Sequence, residues 1–228
     1  MKCVYCQQTI SRNLTIGELL VPFTIKAERC YKCEQLFEGI QGDFCPTCMN
    51  YHHQSSEQCI ECQRWQSLYP EYTFKHSALF QYNEGLKEWM YQYKFLGDYR
   101  LAKTFARELQ SALKKEKKKI ICPIPLSPER QKERGFNQVT ALLEAAAIPY
   151  QELLQKAIHT EAQSHKTRQE RLEMAQPFQL AMNQTSSLQN QTIVLVDDVY
   201  TTGRTLFHAA ACFFDQGVKE IQTFSLAR

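Results

Sequence analysis

Apolar positions beyond residue 65 recur with two different periods, and the two alternate along the chain. Residues 83–95 carry Leu86, Trp89, Met90 and Tyr93 at the three- and four-residue spacing of one helical face. Residues 98–114 repeat that pattern with Leu101, Phe105, Leu109 and Leu113, and 137–147 do so with Leu142, Leu143 and an alanine run. A further helix is expected over 202–216. Between these segments stand short apolar runs: HSALFQY, KKIICPIPL, TIVLV (192–196) and EIQTFSLA. An uninterrupted run such as TIVLV suits a strand buried on both faces. Strands alternating with helices predict a parallel sheet covered on both sides. The polar stretch MNQTSSLQNQ, 182–191, predicts a surface loop.

The first 65 residues read differently. They hold few large aliphatic side chains, and a segment this small scarcely folds on its own core. They hold eight of the ten cysteines instead, as four CxxC pairs: Cys3/Cys6, Cys30/Cys33, Cys45/Cys48 and Cys59/Cys62. Two residues between thiolates let both sulfurs reach one ion, and two such turns complete a tetrahedron. The eight therefore suit two structural zinc sites. Sequential pairing puts Cys3, Cys6, Cys30 and Cys33 on one ion and Cys45, Cys48, Cys59 and Cys62 on the other. Interleaved pairing satisfies the same chemistry. His52 and His53 are alternative ligands, but eight cysteines suffice. A closed four-cysteine site has no open position for water, so the module is structural rather than catalytic. The second pair of each half is placed at the opening of a helix (CEQLFEGI, CQRWQSL). The start, MKCVYCQQTISRN, has no apolar signal segment, which argues against disulfides and for a cytoplasmic protein. A single CxxC can be a redox motif; four in succession favour metal. Cys122 and Cys212 stand alone in apolar runs and read as small buried residues.

These observations predict a double zinc-ribbon module over 1–65, a linker over 66–75 and an α/β domain over 76–228. With 43% hydrophobic and 22% charged residues, wholesale disorder is excluded. No apolar run approaches the roughly 20 residues of a membrane-spanning helix. The net charge of +3 conceals an uneven distribution. Residues 1–62 carry 5 basic and 7 acidic side chains, whereas 94–134 carry 12 basic and 5 acidic. The run Lys114, Lys115, Lys117, Lys118 and Lys119 follows a helix, where it suits the dipole and a solvated face. It is also a candidate contact to the phosphate backbone of single-stranded DNA, binding without sequence preference. Trp89, Tyr91, Tyr93, Phe95 and Tyr99 lie close by; their helical spacing assigns most to the core, and any left exposed can stack on bases.

The most informative segment is IVLVDDVYTTGRT, residues 193–205. A buried strand ends in Asp197 and Asp198, and a turn leads into a helix near Thr202. Loops at the carboxyl ends of parallel strands form the ligand crevice. Free N–H groups at a helix start hold phosphate, Gly203 allows close backbone approach, and the carboxylates one turn away can accept from sugar hydroxyls. A sugar phosphate satisfies both halves. A strand ending in two acids also suits a Walker B element, but no G-x-x-x-x-G-K-[ST] accompanies it.

This run resembles the signature of type I phosphoribosyltransferases, which bind phosphoribosyl pyrophosphate (PRPP) with magnesium. The resemblance places Asp197 and Asp198 on the ribose hydroxyls and Thr201, Thr202, Gly203, Arg204 and Thr205 around the 5′-phosphate. Tyr200 departs from the aliphatic residue common in that superfamily. The segments CPIPLSPERQKERGFNQ (122–138) and KFLGDYRLAK (94–103), together with the cysteine module, resemble the ComF family of competence proteins over essentially the whole chain. The family pattern is matched by Pro123, Pro125, Arg130, Arg134, Gly135, Phe136, Asn137 and Gln138. Arg130 and Arg134 become diphosphate candidates. The stretch 163–178 resembles the family's mobile loop through Gln163, Arg168, Arg171 and Phe178, with Lys166 and Met174 as departures. Planar guanidinium groups suit phosphate oxygens.

The resemblance implies DNA uptake in natural transformation, with single-stranded DNA and the DNA-translocating ATPase/helicase of the same operon as partners. Two other functions fit the same residues. One is an active transferase that releases pyrophosphate from PRPP; no acceptor pocket is legible, and Met1-Lys2 precede Cys3, so an amino-terminal glutaminase cysteine is missing. The other is a non-catalytic adaptor built on the zinc module.

Overall fold

The computed structural model describes residues 2–10, 28–53, 55–70, 72–114, 119–156, 176–181 and 188–228. Four strands form a parallel sheet: β1 (His76–Phe80), β2 (Ile120–Pro123), β5 (Thr192–Val199) and β6 (Glu220–Ala227), in the order β1-β6-β5-β2. Strand β5 shows why the sheet needs two covers. Val194 and Val196 point into one apolar cluster while Ile193 and Leu195 point into another. That two-residue alternation is the pleat itself.

The first face is covered by helices α3 (Glu84–Lys94), α4 (Ala106–Leu113) and α6 (Gln138–Ala145). Trp89, Tyr93 and Phe105 fill its centre, with Trp89 4.7 Å from Tyr93 and 4.8 Å from Phe105 between ring centroids. Their polar atoms are matched: Trp89 Nε1 donates to Thr104 Oγ1 at 3.0 Å and Tyr93 Oη to the Gln138 carbonyl at 2.8 Å. The predicted helix over 98–114 is 3₁₀ over Tyr99–Phe105 and becomes α-helical only afterwards. The predicted helix over 202–216 is shorter than its pattern. Helix α7 spans Arg204–Ala211, and a 3₁₀ turn, Phe214–Gln216, follows.

The second face is covered by α7, by an antiparallel pair β3 (Leu154–Lys156) and β4 (Phe178–Leu180), and by the cysteine module. Cys45, Cys48, Cys59 and Cys62 belong to the same apolar cluster as Ile193, Leu195 and Phe207. The early part of the chain reaches the other face as well, through Phe37, which packs 4.8 Å from Phe105. Arg29 anchors it there by donating to the Thr104 carbonyl and pairing with Glu108. Helix α1 (Tyr31–Glu34) is one turn, and α2 runs Ile60–Leu68. Segment 66–75 contains the end of α2, Tyr72, which donates to the Ile221 carbonyl at 3.3 Å, and the buried Phe74. Helix α5 (Pro128–Arg134) is a textured stop between β2 and α6. Ser127 caps it by accepting from Arg130 N, Pro128 opens it, and Gly135 closes it at φ 76°.

Candidate functional site

The cysteines group in chain order. Cys3, Cys6, Cys30 and Cys33 form one cluster and Cys45, Cys48, Cys59 and Cys62 the other, with all four sulfurs of each within 4.8 Å of one another. A tetrahedral zinc with Zn–S of about 2.3 Å needs sulfurs about 3.8 Å apart. Cys6 and Cys30 lie 3.7 Å apart, Cys48 and Cys59 3.7 Å, and Cys45 and Cys62 3.9 Å. The backbone N–H of Cys30 donates to Cys3 Sγ and that of Cys59 to Cys45 Sγ, each at 3.3 Å, as expected around thiolate ligands. Both clusters are thus compatible with zinc. Each late pair straddles its helix start: Cys30 and Cys59 are N-caps, and Cys33 and Cys62 lie inside.

At the carboxyl end of β5 lies a cleft of about 690 Å³. Asp197, Asp198, Thr201 and Thr205 form one wall, and Arg130, Arg134, Lys94 and Lys156 supply cations around it. Asn137 holds a rim together: its side chain accepts from Val139 N at 2.8 Å and donates to the Ile124 carbonyl at 3.0 Å. Lys94 Nζ sits 2.7 Å from Asp198 Oδ2, with about one seventh of each side chain exposed (15% and 14%). Burial, then the neighbouring Asp198 charge, push the Asp197 carboxyl up to about 7, against the pull of Lys94 and Lys156. Burial, helped by Arg130, lowers the Lys156 ammonium from its usual range. The acidic strand end of this cleft is thus paired with Lys94, and Arg130, Arg134 and Lys156 stand among the other lining residues.

The turn after β5 is unusually well supported. Gly203 adopts φ 78°, a left-handed conformation natural to glycine, and caps α7. The ring of Tyr200 is packed beneath it, buried against His76 and Phe74. Thr201, Thr202, Arg204 and Thr205 are exposed.

A profile of the phosphoribosyl transferase domain matches residues 132–228. A competence protein ComFC from Streptococcus pneumoniae is 40% identical over 228 residues, covering 100% of both chains. The chain belongs to the ComFC family of competence proteins. Another ComFC, from Bacillus subtilis, is 32% identical over 99% of this chain and 94% of its own. Among solved structures, a hypoxanthine phosphoribosyltransferase from Staphylococcus aureus aligns with a TM-score of 0.34 at 16% identity, over 56% of this chain and 63% of that one.

In this ComFC-family chain the cleft brings together the acidic strand end, two threonines of the turn, and both Arg130 and Arg134. Arg130 is exposed, whereas Arg134 is half-buried, donates to Gln138 Oε1 at 2.8 Å and lies over the Phe95 ring at 5.7 Å. Gln163, Arg168 and Arg171 fall outside the described residues, as do Lys115, Lys117 and Lys118. The two described members of the lysine run do not line the cleft. Lys114 caps the end of α4, and Lys119 precedes the amino end of β2 and bonds Gln222 Oε1 at 2.7 Å. This is the opposite end of the parallel sheet. Of the nearby aromatics, Trp89 and Tyr93 are core; Tyr91, Phe95 and Tyr99 remain half-exposed or more. Lys94 and Lys156 are the cleft cations that sequence reasoning missed. Lys94 follows a helical face read only for its apolar members, and Lys156 sits in a three-residue strand with no pattern of its own.

Proposed function

We propose that this chain binds PRPP with magnesium in the β5 cleft and serves DNA uptake in natural transformation, acting in the cytoplasm. The cleft carries the reading: two carboxylates and two threonines of the turn line it together with Arg130, Arg134 and Lys156, groups that suit a ribose flanked by a 5′-phosphate and a diphosphate. Asp197 and Asp198 accept from the ribose hydroxyls, and residues 201–205 surround the 5′-phosphate. Arg130, Arg134 and Lys156 neutralise the diphosphate, and Gln163, Arg168 and Arg171 are further candidates for it. Magnesium travels with the diphosphate, and the two carboxylates are hard oxygen donors suited to it. Two zinc ions hold the cysteine clusters. The parts 1–65 and 76–228, joined through 66–75, work as one unit.

The names of the curated relatives support the competence role. Single-stranded DNA is assigned to the basic segment with Lys114 and Lys119, extended by Lys115, Lys117 and Lys118. The DNA-translocating ATPase/helicase of the same operon is the expected protein partner. Calorimetric titration of PRPP with magnesium, with metal analysis of the same sample, tests the core of this reading. Saturable binding that Asp197→Asn plus Asp198→Asn abolishes is expected; heat indistinguishable from dilution refutes it. Binding to an oligonucleotide that weakens steeply with salt is expected of the DNA assignment.

A second reading, an active transferase, is favoured by one further observation. A neighbouring cavity of about 730 Å³ shares Pro125, Leu126, Pro128, Asn137 and Lys156 with the cleft and is lined by Tyr99, Phe136 and Tyr150. It has room for an aromatic acceptor beside the sugar. Pyrophosphate release from PRPP in the presence of candidate bases or single-stranded DNA would select this reading; release with none would select binding alone.

A further inference from the structure

The turn that follows β5 does not stand by itself. Its two outward carbonyls are both held by residues tied to the second cysteine cluster. Trp65 Nε1 donates to the Thr202 carbonyl at 2.9 Å. Arg228 Nη1 donates to the Thr201 carbonyl at 2.9 Å. Trp65 lies on α2, three residues after the cluster member Cys62, and its ring stacks on Phe207 of α7 with centroids 4.3 Å apart and planes 9° apart. Arg228 reaches the cluster directly: Nε donates to the Cys48 carbonyl at 3.1 Å and Nη2 to Cys48 Sγ at 3.4 Å. Glu61, also on α2, lies 3.6 Å from Nη2, and the guanidinium covers the Tyr200 ring at 4.6 Å.

Peptide geometry turns these contacts into a statement about donors. A trans peptide is planar, so its C=O and the following N–H point in opposite directions. Pinning the Thr201 carbonyl to Arg228 therefore aims the Thr202 N–H away from the cysteine cluster. Pinning the Thr202 carbonyl to Trp65 aims the Gly203 N–H the same way. The left-handed Gly203 continues the run of N–H groups into the start of α7, the kind of concavity that binds anions. A flip of either peptide would turn a carbonyl oxygen toward the same space and repel phosphate.

We propose that the second cysteine cluster is a brace for the anion-binding turn, with Trp65 and Arg228 as the positioning residues that transmit it. The role in phosphate binding rests on the PRPP reading above; the bracing of the turn does not. Metal in the cluster fixes α2 and the Cys48 knuckle, and these fix the peptide planes of 201–203. Loss of that metal loosens the turn while the sheet beneath it stays formed.

The test is hydrogen exchange on the full-length zinc-loaded protein. Trp65→Phe keeps a ring on Phe207 but removes the donor. Arg228→Lys keeps a charge but loses the fork that spans Cys48 and Thr201. Each variant is checked for two zinc ions per chain. The expected result is exchange at the bonded amides flanking the turn, Tyr200 N (to the Ala227 carbonyl) and Phe207 N (to the Gly203 carbonyl), faster by about tenfold or more, with β1 and α3 unchanged. A Cys62→Ser protein that has lost the second metal should show the same local loosening. Unchanged exchange at Tyr200 and Phe207 in both Trp65→Phe and Arg228→Lys overturns the brace. Faster exchange across the whole sheet in every variant overturns it too, because the effect would then be global unfolding. PRPP affinity is measured in parallel and should fall by about tenfold in both variants. If wild-type protein binds no PRPP, the functional reading fails while the exchange data still decide the brace.

Discussion

Replacing Gly203 with alanine isolates the tightest contact in the candidate site. A methyl at that position would run into the Tyr200 hydroxyl and lie 2.7 Å from Cζ and 3.1 Å from Cε2. Tyr200 is only 2% exposed, and its ring is hemmed in by His76 at 4.4 Å, Phe74 at 6.1 Å and the Arg228 guanidinium at 4.6 Å. Two costs follow. Holding an alanine in the left-handed region costs about 1–2 kcal/mol. Overpacking against a ring that cannot move freely adds about 1–3 kcal/mol. The total, about 2–5 kcal/mol, is a large share of a typical folding stability. The two terms separate in a double-mutant cycle. In a Tyr200→Ala background the packing term vanishes, and Gly203→Ala should cost only the backbone term, about 1–2 kcal/mol. Urea denaturation of the zinc-loaded proteins, followed by tryptophan fluorescence, measures all four corners. A cost below about 0.5 kcal/mol, or an equal cost in both backgrounds, would refute the reasoning, since distant independent changes add to within that margin.

Three other outcomes are expected. Asp197 is held at about 7 in the folded protein against an ordinary 3.8, so the folded state keeps a proton that the unfolded chain has lost between those values. The contribution of Asp197 to stability should therefore be greatest below about pH 4, fall as pH rises toward 7 and stay lower above it; the difference between wild type and Asp197→Asn in melting curves from pH 4 to 8 should follow that slope, and parallel curves would contradict it. Lys94→Gln strands the Asp198 carboxylate and should cost about 1–3 kcal/mol, much of it recovered in Lys94→Gln/Asp198→Asn; no recovery would deny the pair its role. Metal analysis should find two zinc ions per chain, one after Cys62→Ser and one after Cys33→Ser; a metal-free wild type would remove the basis for both clusters.

Much of the fold is legible along the chain because its elements obey strong local rules. The face of α3 is written in Leu86, Trp89, Met90 and Tyr93, all buried. Strand β6 is the run EIQTFSLA residue for residue. The turn at 201–205 is marked by Gly203 and the acids before it. Strands β3 and β4 were invisible, because three residues show no periodicity and their pairing is non-local. Helix α5 carried its own start signal in Ser127-Pro128, but its charged surface gives no apolar stripe to reveal it. The composition change after Trp65 marks the end of the cysteine pairs, yet it says nothing of packing. The contacts of Trp65 with Thr202 and of Arg228 with Cys48 span 137 and 180 residues, distances over which no sequence pattern speaks.

The position of β6 has a consequence for the order in which the molecule comes into being. It lies between β1 and β5, yet follows both in the chain. During synthesis the earlier strands emerge with the middle of their sheet missing, and β1 gains its neighbour in the sheet only when β6 has left the ribosome. The cysteine module, in contrast, is finished first and can take up metal while the rest is still being made. Arg228 then arrives directly after β6 and closes the contact to Cys48 and Thr201. Folding of this chain should thus be slow and late, as its long-range contacts require. The turn at 201–203 is completed only once β6 has been made.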